Sequence, residues 1–157
     1  MIFVDTSAWI DHLRSGEPSL AASLEGGRVL MHPFVLGELA CGNPENRGEV
    51  LRLLGYLPSA PTATDPEVLG LIERRALMGR GIGYIDVHLL ASTALAGVGR
   101  LWARDRRLAA VDADLQLDLF ADFEGLSNGD IMTETFQHDA NWTKYPYVMM
   151  FPSEVLR

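Results

Sequence analysis

Four carboxylates stand where an acid needs explaining: Asp5, Glu38, Asp86 and Asp105. Asp5 ends the apolar run Ile2-Phe3-Val4, and Asp105 follows the strand-like Leu101-Trp102-Ala103. In parallel α/β sheets ligands bind beyond the carboxyl ends of strands, which is where both acids sit. Each also has an ordinary use as a helix N-cap. At Asp5 the neighbours Thr6 and Ser7 offer caps of their own, so Asp5 is not needed for that job. Glu38 lies in the helical pattern 33–41 and shares a face with Phe34, Val35 and Cys41, with no cation on the same helix. Such a carboxylate is costly to bury unless a metal or a distant Arg meets it; otherwise the face is open to water. Asp86 falls in the first turn of the most apolar helix. The helix dipole favours an acid there by only about 0.3–1 kcal/mol, too little to explain a charge on a buried element. Four hard oxygen donors suit Mg²⁺ or Mn²⁺ and not zinc. Such ions activate water and stabilise charge in phosphodiester cleavage.

The elements that must position these acids alternate in type. Strands are expected at 2–5, 29–31, 62–64 and 100–103, with a fifth at 115–119. Helices are expected from Thr6 or Ser7 to about Leu13, and over 18–24, 33–41 and 49–56. Others follow from Asp65, as cap, to about Met78, from Tyr84 to Val98, and from about Arg106. Pro33 and Pro66 are well placed as first helical residues. The order predicts a three-layer α/β fold with a parallel sheet flanked by helices. Trp9 and Trp102 read as core residues. Asp112, Asp114 and Asp118 read as solvated positions. His12, His32, His88 and His138 form no metal-ligand spacing, and His88 lies about 200° around its helix from Asp86.

The chain of 157 residues is 48% hydrophobic and 22% charged, which suits one soluble globular domain. No apolar run reaches the length of a membrane span, no signal peptide is read at the N-terminus, and the single cysteine excludes an internal disulfide. A cytoplasmic protein is expected. The net charge of −8 alone speaks against a nucleic-acid partner. Metal ions over the carboxylates would invert that local field. All cations before residue 144 are Arg, the better bidentate phosphate binder. Arg104, Arg106 and Arg107 flank Asp105 and are candidates to hold RNA phosphates; a solvated helix start is the alternative. Composition shifts near residue 121, so the chain divides into a domain at 1–120 and an extension at 121–157. The extension is read as a foreign segment or shifted frame, a native binding arm, or a fused inhibitor. The last is the weakest, since only Lys144 and Arg157 there could face the four acids.

The ordered set of motifs resembles a known family. Ile2-Phe3-Val4-Asp5-Thr6-Ser7-Ala8-Trp9-Ile10 is similar to the opening of PIN-domain ribonucleases, and more narrowly of the VapC toxins of toxin–antitoxin pairs. Leu36-Gly37-Glu38-Leu39, Ile85-Asp86-Val87-His88-Leu89-Leu90-Ala91 and Leu101-Trp102-Ala103-Arg104-Asp105-Arg106-Arg107-Leu108 carry the other three acids in the family's order. The resemblance spans residues 1 to about 120. It implies a PIN-like fold, a divalent-metal-dependent endoribonuclease, a cognate VapB-type antitoxin and a homodimer. It assigns Asp5, Glu38, Asp86 and Asp105 as catalytic and metal residues, with Asp5 and Asp86 as direct magnesium ligands. Thr6 or Ser7 matches the hydroxyl that orders the site. One departure stands out: the family often has a Thr two residues before the fourth acid, where this chain has Ala103. Two rivals are weighed. A phospho-receiver protein with Asp5 as nucleophile is opposed by the lack of any Lys before Lys144. A non-catalytic RNA- or protein-binding PIN-like module is opposed by the intact acid set.

Overall fold

The computed structural model describes residues 1–97 and 100–115. Three short parallel strands form its sheet, in the order β2-β1-β3: β1 (Ile2–Val4), β2 (Val29–Leu30) and β3 (Arg100–Trp102). Ile2 pairs with Val29 on one side and with Arg100 on the other, which makes β1 central. Alternation along β1 sends Val4 to one face, against Trp9, Leu20, Val35 and Leu89, and Phe3 to the other, against Leu30 and Ala60. Both faces are therefore covered, as a parallel sheet requires.

Among the described residues seven helices accompany the strands: α1 (Thr6–Ser15), α2 (Pro18–Glu25), α3 (Pro33–Cys41), α4 (Arg47–Leu54), α5 (Asp65–Arg74), α6 (Tyr84–Leu95) and, after β3, α7 (Arg106–Leu115). The central helix α6 is buried from Val87 to Ala94, as its almost wholly apolar sequence demands, with His88, Ser92 and Thr93 buried among the apolar residues. A second core, around Val68, Leu71, Leu90, Ala91, Leu108 and Val111, ties α5, α6 and α7 together. Since α6 ends just before β3 begins, it runs back across the sheet. Its first turn therefore lies at the carboxyl edge, where β1 and β3 end.

Several expectations need correction. The segment 62–64 is not a strand. Pro61 has no N–H to donate, and Thr64 is consumed in capping α5. Pairing falls earlier, where Met31 bridges Ser59 in parallel, with Met31 N–H to Pro58 O at 2.8 Å and Ala60 N–H to Met31 O at 2.9 Å. Thr64, not Asp65, caps α5: the Glu67 carboxylate accepts from the Thr64 N–H at 2.6 Å in a capping box. The helix stops at Arg74 because Ala76 turns left-handed, φ 49°. The Leu77 N–H then closes on Ile72 O at 3.0 Å, the Schellman arrangement. Leu115, expected to open a strand, ends α7; the rest of that expected strand and the segment 121–157 lie outside the described residues. Asp112 is buried, not solvated, while Asp114 is exposed and pairs with Arg80 at 2.6 Å.

Candidate active site at the carboxyl edge of the sheet

Asp5 leaves β1 with its N–H donated to Trp102 O at 3.0 Å, so it sits beside the end of β3. Asp105 follows β3 by three residues. The two acids thus emerge from neighbouring parallel strands on the same edge. Asp86 occupies the first turn of α6, and Glu38 lies in the second turn of α3, the helix that follows β2.

Three of the carboxylates are fixed by donors close in sequence, and Glu38 by a hydroxyl of α1. Asp5 Oδ1 accepts from the Ala8 N–H at 2.9 Å and Oδ2 from the Ser7 hydroxyl at 2.8 Å. Asp5 is therefore the cap of α1 after all, despite the Thr and Ser beside it. Those hydroxyls are used elsewhere: Ser7 on Asp5 itself, Thr6 on Glu38, whose Oε2 accepts from Thr6 Oγ1. The two hydroxyls singled out in sequence each serve an acid of the set. Asp86 Oδ2 accepts from the Gly83 N–H at 2.7 Å. Asp105 Oδ1 accepts from Arg107 N–H at 2.7 Å and Leu108 N–H at 3.3 Å, capping α7. Capping and site roles coincide here because a cap must sit where a strand or loop turns into a helix, which is also the ligand-facing edge.

Exposure differs among them. Asp5 is buried, only 6% exposed, Asp86 is half-buried, and Glu38 and Asp105 are exposed. Of the residues sharing a face with Glu38, Val35 is buried while Phe34 and Cys41 are exposed; Glu38 itself is open to water, the second of the two readings its position allowed, so it needs no cation to offset burial. It rims a cleft of about 400 Å³ floored by Ile10, Leu13 and Leu39, with Arg14 and Glu45 on its edges.

Electrostatics links the acids. Burial pushes the Asp86 carboxyl above the usual carboxylate range, the Gly83 N–H opposes this, and the negative charges of Asp105, Asp5 and Glu38 push it up further. Asp86 thus feels all three other carboxylates. Among the described residues, no three His, Cys, Asp or Glu side chains are close enough together to hold an ion. Asp5, Asp86 and Asp105 are instead turned toward donors at the start of the helix each one caps or opens, and Glu38 toward the Thr6 hydroxyl of α1, as repelling like charges prefer. The donor set still fits a hard divalent cation: it is all carboxylate oxygen, and the field that raises Asp86's proton affinity also attracts positive charge.

The candidate phosphate binders are placed unevenly. Arg106 is exposed at the start of α7. Arg107 reaches Gly81 O at 3.4 Å. Arg104 is held by Asp11 at 3.2 Å and Glu17 at 2.8 Å. His88 stays away from Asp86, as its helical angle predicts, and is buried against Tyr84, Phe34 and His32. Sequence reasoning missed His32, whose Nδ1 accepts from the Phe34 N–H at 3.2 Å and caps the helix carrying Glu38. Its place just before Pro33, the first helical residue, was the available signal.

The PIN-domain family profile matches residues 2–114, a stretch containing all four acids. The chain is 48% identical over 114 residues to Ribonuclease VapC32 of Mycobacterium tuberculosis, in strains CDC 1551 / Oshkosh and ATCC 25618 / H37Rv alike. The alignment covers 73% of this chain and 92% of that relative. No solved structure matches. The strand-end acids, the parallel sheet and these matches agree: the chain belongs to the PIN-domain family and, within it, to the VapC-type ribonucleases.

Proposed function

We propose that this chain is the endoribonuclease toxin of a type II toxin–antitoxin pair, hydrolysing RNA phosphodiesters with Mg²⁺, or Mn²⁺ in its place, at Asp5, Glu38, Asp86 and Asp105. The observation that carries the reading is the placement of the acids: Asp5 and Asp105 follow the ends of neighbouring parallel strands, Asp86 opens the central helix at the same edge, and its carboxyl is pushed up by burial and by the charges of Asp105, Asp5 and Glu38. A site that holds several acids against their mutual repulsion is built for a cation. A divalent ion bound there supplies positive charge that acidifies an attacking water and offsets charge on the phosphate. Asp5 and Asp86, the two less exposed acids, would hold it. Glu38, oriented by the Thr6 hydroxyl, takes the proton from the water or aims it; Asp105 is the other candidate for that role. Arg106 and Arg107, at the rim, would meet RNA phosphates.

A VapB-type antitoxin partner and a homodimer belong to the same reading and rest on the family alone. No helix among the described residues is long and apolar enough to cross a membrane. The test is brief expression in cells followed by sequencing of RNA 5′ ends. New ends at defined positions, absent with Asp5→Asn, support the reading; identical end profiles for the two proteins contradict it. If RNA is bound by the purified protein and never cut, the non-cleaving binding module takes its place.

A further inference from the structure

The turn that carries Asp105 is tied to the α1–α2 corner by the half-exposed guanidinium of Arg104. Three residues, 103–105, connect β3 to α7. Ala103 contributes no side-chain donor to them. Arg104 instead reaches across to the first helical corner: its Nε meets Asp11 Oδ2 at 3.2 Å and its Nη2 meets Glu17 Oε2 at 2.8 Å. Asp11 lies on α1, the helix that Asp5 caps, and Glu17 is the N-cap residue of α2. Glu17 is itself fixed, because its N–H donates to Nδ1 of the buried His12 at 3.0 Å. Two different nitrogens of one planar group thus hold two different helices, which sets the orientation of the turn as well as its distance. Two carboxylates against one guanidinium leave the spot net negative, a poor surface for phosphate.

We propose that Arg104 is a positioning residue, clamped between Asp11 and Glu17 so that the β3–α7 turn is fixed to the helix capped by Asp5 and Asp105 is aimed at the site. It does not bind RNA. The proposal rests on the reading of Asp105 as a site carboxylate, but the clamp has a readout independent of that reading. Asp105 Oδ1 protects the Arg107 and Leu108 amides. A clamp that sets the turn predicts that loosening it exposes them.

The test compares wild type, Arg104→Ala, Arg104→Lys, the pair Asp11→Ala/Glu17→Ala and the triple variant. Hydrogen exchange is read at the Arg107 and Leu108 amides, and RNA cleavage as kcat and KM over a range of salt. Both Arg104→Ala and the double variant should speed exchange at those amides and lower kcat by about tenfold with KM nearly unchanged, the signature of a displaced catalytic group. The triple variant should be no worse than Arg104→Ala. Arg104→Lys should fall between, because an ammonium cannot fork to two acids. The inference is overturned if exchange at those amides is unchanged in Arg104→Ala. It is also overturned if that variant raises KM and flattens the salt dependence while the acid-pair variant tightens RNA binding; Arg104 would then be a phosphate contact. If wild type cleaved no RNA, the proposed function would fail while the exchange comparison still decided the clamp.

Discussion

At the scale of single residues, the four acids separate into roles that substitution can distinguish. Asp5 caps α1 and, in the proposed function, also holds the metal, so its two duties should come apart. Asp5→Asn keeps an acceptor for the Ala8 N–H and should fold like wild type while losing at least about a hundredfold in cleavage rate. Asp5→Ala should lose activity and about 1 kcal/mol of stability besides. Paired melting curves and cleavage assays check this; equal activity in Asp5→Asn would remove Asp5 from the site. Asp86 carries a pKa raised in the folded state, so its ionisation disfavours folding as pH rises through that value. Asp86→Asn should therefore melt higher than metal-free wild type at neutral pH, while cleavage falls by at least about a hundredfold. A lower melting temperature would show that the carboxylate is held by attraction and not against repulsion. The histidines titrate the other way. His32 is buried and neutral, its pKa pushed down to about 4 by desolvation and by His88. The unfolded chain takes up that proton near the ordinary value of 6.5, whereas the folded chain refuses it until about 4. Stability should be complete above 6.5 and decline as pH falls from there toward 4. His32→Asn, which retains a capping acceptor but no proton site, should show a shallower decline in melting temperature over that window. A parallel decline would clear His32 of the effect.

At the scale of elements, periodicity and punctuation settled most of the fold, and side-chain diversion explains most of what they missed. Pro33 with Gly42 bounded α3 to the residue, since proline at the first position and glycine after the last are both signals read from backbone chemistry alone. The segment 62–64 looked β-prone, yet Pro61 and the capping duty of Thr64 left it no strand to join. Nothing local shows that Ser59 and Ala60 would pair with Met31 across the intervening helices. The acids were legible because each stands at a strand end or on an apolar helix. The assignment of Thr6 to Glu38, and of Arg104 to Asp11 and Glu17, required three-dimensional placement over many residues. Ala76 gives the element scale its own prediction. An alanine held at φ 49° is strained where glycine is not. Ala76→Gly should stabilise the chain by about 0.5–1 kcal/mol, read as a rise in melting temperature with cleavage unchanged. A fall would mean that the methyl group packs more favourably than the backbone strain costs.

At the scale of the molecule, a net charge of −8 and an RNA substrate are reconciled by where the charges lie. Part of the acidity is concentrated at one edge of the sheet, where the proposed cation would reverse its sign, and Arg106 and Arg107 follow Asp105 at the start of α7. The family match ends at residue 114, within the last turn of α7. We therefore expect a chain ending at Phe120 to fold and to retain cleavage, checked by circular dichroism and an RNA assay. An insoluble or inactive product would make the extension part of the domain. The central claim, that carboxylates and a hard divalent cation together cut RNA, is tested most directly by cleavage of a defined RNA as free Mg²⁺ is varied. Wild type should be silent in EDTA, recover fully with Mg²⁺ or Mn²⁺ and poorly with Zn²⁺, and Asp86→Asn should remain at background at saturating Mg²⁺. Cleavage at the full rate in chelated buffer, or by Asp86→Asn, would contradict it.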